Sequence, residues 1–287
     1  MSTLNVLRII GLLLICFLFF LGFGVFGISN FIANSAFTDD TASMISDTML
    51  SALPTLLQGQ NLGLPSIDLN VDDKIITIFK PVLEKNISNI LKYIRGETET
   101  IGLGLDKEEI KAIITNMKIP GLPEEMTIED MNISESAYDE MVVSINASFK
   151  DSEAELIQTL QPARDVYSYA KTAFYISLIV LIVLILITLL INFCFYKTLF
   201  WLALYFLINS GIWILLLLGL YVVYSSAISS LFAGQVQALS GVMSAVVSGF
   251  LFKILLIYIV LFVIGLVLLG LFIMWKLKIK KKGETKQ

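Results

Sequence analysis

The chain has no histidine and only two cysteines, Cys16 and Cys194. Both fall in long apolar runs, Cys16 near mid-depth and Cys194 near one end of its run. The polar part of the chain therefore has no disulfide, which is unusual for a small eukaryotic extracellular domain. Without imidazole or paired thiols, an ordinary zinc, haem or iron–sulfur site is excluded, and no cofactor or metal is expected. Cys194 is placed where a lipid chain can be attached, although the usual behaviour of such a thiol is that of a small buried apolar group. Ionisable groups are missing too. No apolar run holds Asp, Glu, Arg or His in its interior, so the groups that mark a transport pathway or a membrane-embedded acid–base site are absent there. No P-loop, dinucleotide fingerprint or Ser/Lys/Asp nucleophile arrangement occurs, and no catalytic residue is assigned.

What the chain does have is apolar length. Its 287 residues are 56% apolar and its mean hydropathy is +0.83, above the range of soluble domains. The run from Thr172 to Phe195 is uncharged. As a helix it is about 36 Å long at about 1.5 Å per residue, enough to cross a hydrocarbon layer of about 30 Å. Three further runs qualify, which predicts an all-α membrane protein with spans at about 9–27, 172–195, 199–224 and 250–275. The domains follow from these spans. An N-terminal anchor covers 1–30, an acidic domain 31–170 and a three-span region 171–275, with an uncharged segment at 225–249 and a basic tail at 276–287. The first run competes with a signal peptide ending near Ala33 and Ser35. It is longer than the usual apolar core of such peptides, so an uncleaved anchor is expected.

Charge orients this layout. All but one of the 24 acidic residues lie between Asp39 and Asp165, and the segment 39–171 carries about −12. Such a surface repels nucleic acid and anionic headgroups. Arg8, Lys197 and the tail lysines Lys276, Lys278, Lys280, Lys281 and Lys282 fall on one side of the four spans, which the positive-inside rule makes cytoplasmic. Residues 31–170 are then expected outside the cell membrane, with both termini inside.

The acidic domain reads mainly as helix. Met44, Ile45, Thr48, Met49, Ala52, Leu53 and Leu56 keep helical spacing after Thr38 as N-cap. Ile75, Phe79, Val82, Leu83, Ile87, Ile90, Leu91 and Ile94 make a second stripe, with Pro81 expected to kink or restart it and Gly96 to end it. Asp106 and Glu109 form a capping pattern for a third helix. Ile119–Pro120–Gly121–Leu122–Pro123 forces a break. Ile101, Leu103, Leu105 and Val143, Ile145, Ala147, Phe149 alternate with period two and are candidates for a short two-stranded β-ribbon. Helix returns from Ser152, is interrupted at Pro162, and from Ala163 runs on into the second span. Tyr196–Lys197–Thr198 reads as the turn before the third span.

Several motifs admit a functional and a plain reading. Asn86, Asn132 and Asn146 head Asn-X-Ser tripeptides, making them candidate glycosylation acceptors in a glycoprotein. Asp68–Asp73 opens like a calcium loop but lacks its Gly and terminal Glu, so a polar linker is favoured. Asn209 and Ser210 are the strongly polar pair at mid-span and are read as interhelical packing residues. Gly241, Ala245 and Gly249 have the small-xxx-small spacing that lets helix backbones approach, within the bundle or between protomers. The lysine tail acts as a stop-transfer anchor and has the composition to attract anionic headgroups. Glu108 and Glu109 show no spacing that separates them from a solvated helix face.

The run Ile87–Glu97, ISNILKYIRGE, followed by Gly102–Asp106, GLGLD, resembles a segment of uncharacterised prokaryotic membrane proteins. The resemblance implies one span, a helical outer domain and three further spans, and it brings no activity with it. Tetraspanins differ, because their large loop lies between the last two spans and carries a Cys-Cys-Gly motif absent here. The expected function is therefore a non-enzymatic cell-surface or envelope protein. Its acidic ectodomain would bind an envelope component or another protomer, with the lipid bilayer as its other partner and no nucleic acid. A channel or transporter subunit is the alternative.

Overall fold

The computed structural model describes residues 3–59, 73–116, 134–192, 195–231 and 237–284. Every regular element among them is helical: α1 (Thr3–Phe31), continued by a π-helical turn (Ile32–Ala36), α2 (Asp39–Gly59), α3 (Asp73–Ile94), α4 (Lys107–Asn116), α5 (Glu135–Asn192), α6 (Phe195–Leu231) and α7 (Gln237–Glu284). Four of these helices are long and apolar enough to cross a membrane. The chain divides into a bundle unit (1–35, 169–226 and 248–287) and an acidic unit (36–168 and 227–247), and α5 contributes residues to both.

In the bundle unit, α1 is the common neighbour of the other spans. Its Leu12, Ile15, Phe19 and Phe23 are buried with Leu181 and Leu184 of α5, Tyr205 of α6, and Tyr258 and Leu261 of α7. The direction of each helix can be read from its partners. Tyr205, Asn209 and Trp213 of α6 donate to the backbone carbonyls of Leu12, Cys16 and Phe20. The two series advance together by four residues, so α6 runs parallel to α1. Gly22 faces Leu181 and Phe26 meets Phe174, whereas Phe23 pairs with Tyr258 and Phe31 with Phe250. In both cases one series rises as the other falls, so α5 and α7 run antiparallel to α1. The bundle alternates in direction along the chain.

In the acidic unit, α2 and α3 form an antiparallel pair with one polar rung per turn. Ser88 donates to Asp39 at 2.9 Å, Ser43 to Glu84 at 2.8 Å, and Lys80 meets Asp47 at 2.6 Å. Ala42, Leu50, Val82 and Leu91 are buried in this unit. Thr38 stands at the N-cap of α2, its carbonyl accepting from Thr41 and Ala42. Gly96 ends α3 with φ of 73°. The Gly96 amide donates to Tyr93 and the Glu97 amide to Lys92, the paired bonds of a Schellman cap that a left-handed glycine permits. Asp106 and Glu109 cap α4 reciprocally, each side chain accepting from the other's amide, at 2.8 and 2.7 Å.

Four sequence expectations are corrected. There is no ribbon among the described residues. Residues 143–149 lie inside α5, and 98–106 is an extended segment whose amides are taken by side chains rather than by a strand. Pro162 does not interrupt α5, because Pro162 and Gln158 are both exposed and the lost bond falls on the solvent side. Pro81 does not restart α3, which runs continuously through it. Tyr196–Thr198 form the first turn of α6 rather than a turn before it. The Pro-Gly break at 119–123, the calcium-like 68–72 and Asn132 lie outside the described residues.

Candidate functional site

Two constructions stand out, one in each unit. In the acidic unit, the extended segment 98–106 is held by side chains that supply the bonds a neighbouring strand would supply. Glu153 of α5 accepts from the Ile101 and Gly102 amides at 2.6 and 3.1 Å. Asn86 of α3 accepts from the Gly104 amide and donates back to its carbonyl, at 3.0 and 3.2 Å. Asn146 of α5 pairs with Leu105 in the same two-way manner, each bond 2.9 Å. Asn89 donates to the Gly102 carbonyl at 3.0 Å. A carboxamide is the one neutral side chain that matches a peptide group donor for acceptor, which is why Asn recurs here. Gly102 has φ of 67°, and a Cβ at Gly104 would press on the Asn146 amide oxygen at 2.8 Å. The two glycines let the segment turn and approach.

Ion pairs tie the surrounding helices. Lys85 bridges to Glu109 at 2.9 Å and Asp106 at 3.3 Å, joining α3 to α4. Lys107 reaches Glu135 and Asp139, and Lys111 reaches Glu135, joining α4 to α5. Between them Lys107 and Lys111 hold the Glu135 carboxyl down at about 2. The Glu109 carboxylate raises Lys85, and the Glu109 amide lowers Asp106. Arg164 pairs with Glu99 at 3.0 Å and lies over the Tyr93 ring, whose hydroxyl donates to Gln161 at 3.0 Å. Arg95 donates to the Phe37 carbonyl at 2.5 Å. The lysines and carboxylates balance one another near the surface, whereas Tyr93 is buried and Arg95 mostly so. No cluster of metal-ligating residues occurs among the described residues.

In the bundle unit the construction is aromatic. Trp213 is stacked between Phe20 and Tyr258, with centroids at 5.3 and 5.6 Å. Phe19 stacks on Tyr205 at 5.1 Å. The rings are seated on glycines of α1. A Cβ at Gly24 would overlap Trp213, one at Gly27 the Tyr258 hydroxyl, and one at Gly22 would stand 3.0 Å from Leu181. The Tyr258 hydroxyl donates to the Phe23 carbonyl at 3.1 Å, a bond of the kind that joins spans where no water competes.

The sequence-predicted residues fall as follows. Asn86 and Asn146 belong to the segment clamp, each with its amide nitrogen already donating. Asn209 and Ser210 are buried: Asn209 donates to the Cys16 carbonyl at 3.4 Å, and Ser210 bonds back to Phe206 in its own helix. Gly241, Ala245 and Gly249 all lie within α7, as do the five tail lysines, of which Lys276 and Lys278 are exposed. No protein family, curated protein or solved structure matches this chain. Its function must be argued from its own surfaces. Sequence reasoning missed Glu153 and Asn89 in the clamp and gave Gly22, Gly24 and Gly27 no role, because each meets a side chain of a different distant helix.

Proposed function

We infer that this chain is a four-span membrane protein that acts as a non-enzymatic cell-surface or envelope interaction protein. It binds its partner, an envelope component or a second protomer, through the acidic helical unit outside the membrane. The observation that carries this reading is the fate of the cations. Within 39–171 carboxylates exceed Lys and Arg by about 12. Lys80, Lys85, Arg95, Lys107, Lys111 and Arg164 each face a carboxylate of their own unit. The net negative charge is thereby left to outward groups such as Asp40, Glu140, Asp151, Glu155 and Asp165, all exposed. A surface of this kind steers cationic partners and disfavours nucleic acid.

The alternating helix directions support an even number of crossings. The lysine and arginine positions then support both termini inside and residues 31–170 outside. The packed positions of Asn209 and Ser210 favour a scaffold over a conducting path.

Crosslinking in intact cells, followed by purification of the full chain in mild detergent, tests the reading. After crosslinking, a second component or protomer should stay attached, and without crosslinker it should co-purify at low salt and dissociate near 1 M salt, where screening acts over about 3 Å. A solitary monomer under both conditions refutes it. Protease added to intact cells should cut the acidic unit and spare the lysine tail. The reverse pattern sinks the topology.

A further inference from the structure

The last helix does not end where the apolar layer ends. Lys253 and Lys276 bracket an uncharged stretch of α7 that is about 35 Å long at about 1.5 Å per residue, close to the thickness of a hydrocarbon core. Beyond Lys276 the helix continues to Glu284, carrying Lys278, Lys280, Lys281 and Lys282. At about 100° per residue Lys276 and Lys278 fall about 200° apart round the helix. Trp275, which meets Phe195 at 5.7 Å, brings the Lys197 end of α6 to the same level.

Apolar side chains persist among these charges. Trp275, Leu277 and Ile279 are all exposed. A groove of about 520 Å³ opens here, lined by Phe272, Ile273, Lys276, Leu277 and Ile279. The Lys276 ammonium stands 6.0 Å from the Phe272 ring centroid, at the polar end of that lining. An apolar floor with the Lys276 ammonium at its rim matches an acyl chain joined to a negatively charged head.

We propose that this end of α7 is a binding site for an anionic phospholipid, its acyl chain lying along Phe272, Ile273 and Leu277 and its phosphate held by Lys276. A lipid with no net charge fills the same groove but leaves Lys276 without a counter-charge, so the site discriminates by headgroup. The proposal concerns the bundle end and stands whether or not the acidic unit binds a partner.

The test uses the intact protein in mild detergent with equal amounts of phosphatidylglycerol and phosphatidylcholine, read by native mass spectrometry. Phosphatidylglycerol should be retained preferentially. The Lys276→Gln variant should lose about five- to sixfold of that preference, whereas Lys278→Gln, about 200° round the helix, should keep it. The unfolding temperature of each should match the parent protein, since both side chains are exposed. Leu277→Ser should weaken retention of both lipids. Inorganic phosphate should not displace the lipid, because it cannot occupy the apolar floor. Equal retention of the two lipids, an unchanged preference in Lys276→Gln, an equal loss in Lys278→Gln, or displacement by phosphate alone overturns the proposal.

Discussion

Replacing Asn146 with alanine is the sharpest test of the segment clamp. The native carboxamide satisfies both the amide and the carbonyl of Leu105, at 2.9 Å each, in a part-buried position. Alanine removes both bonds and supplies nothing in return. A typical net hydrogen bond is worth about 0.5–1.5 kcal/mol, so the loss is about 1–3 kcal/mol for the pair. Hydrogen exchange on the intact protein in detergent reads this locally. Protection of the Leu105 amide should fall about fivefold to a hundredfold, with smaller losses at Ile101 and Gly102, which Glu153 holds independently. Asn146→Asp separates geometry from chemistry. It keeps the acceptor for the Leu105 amide but sets a carboxylate oxygen against the Leu105 carbonyl, so it should be no better than alanine. Ser148→Ala is the control, because it destroys the glycosylation tripeptide and leaves the clamp bonds intact. Wild-type protection in Asn146→Ala would refute the argument. An effect of Ser148→Ala equal to that of Asn146→Ala would instead assign the residue to modification.

Three other expectations follow from the geometry. Gly27→Leu forces Tyr258 off the Phe23 carbonyl and should destabilise the bundle by about 1–3 kcal/mol. Heat denaturation in detergent measures it, and Gly27→Ala should already lower stability, since a Cβ there overlaps both the hydroxyl and the ring of Tyr258. Glu135 is held by Lys107 and Lys111 at about 2 against an ordinary 4.5. Its folded value is the lower one, so its contribution is present above pH 4.5 and fades as pH falls toward 2. Side-chain carboxyl NMR should show Glu135 titrating below the other glutamates, and titration near 4.5 would remove the bridge. Asn209→Leu should cost no more than about 0.6 kcal/mol, the mean for a polar contact between spans, and a loss several times larger would mark a role beyond packing.

The local signals were legible. Each cap is a bond between residues three to five apart, so Thr38, Gly96 and the Asp106–Glu109 pair could be read before any tertiary contact was known. The four apolar runs were legible for a similar reason, since span length depends only on rise per residue and layer thickness. Period two at 143–149 misled because a short alternating run fits a helix whose other face is left in water. The expected break at Pro162 misled because a missing amide costs little where solvent can serve the freed carbonyl.

By itself, then, the chain determined the caps of α2, α3 and α4, four stretches apolar and long enough to cross a membrane, and the separation of charge between its parts. Only the tertiary structure decided that Asn86 and Asn146 act as surrogate peptide groups, and that Gly24 and Gly27 are seats for rings nearly two hundred residues away or more. The same holds for the bonds from Tyr205, Asn209 and Trp213 to carbonyls of α1. The physical reason is range. Caps and hydropathy are set by neighbours along the chain, whereas a carboxamide or a glycine carries no mark of which distant group will be brought against it.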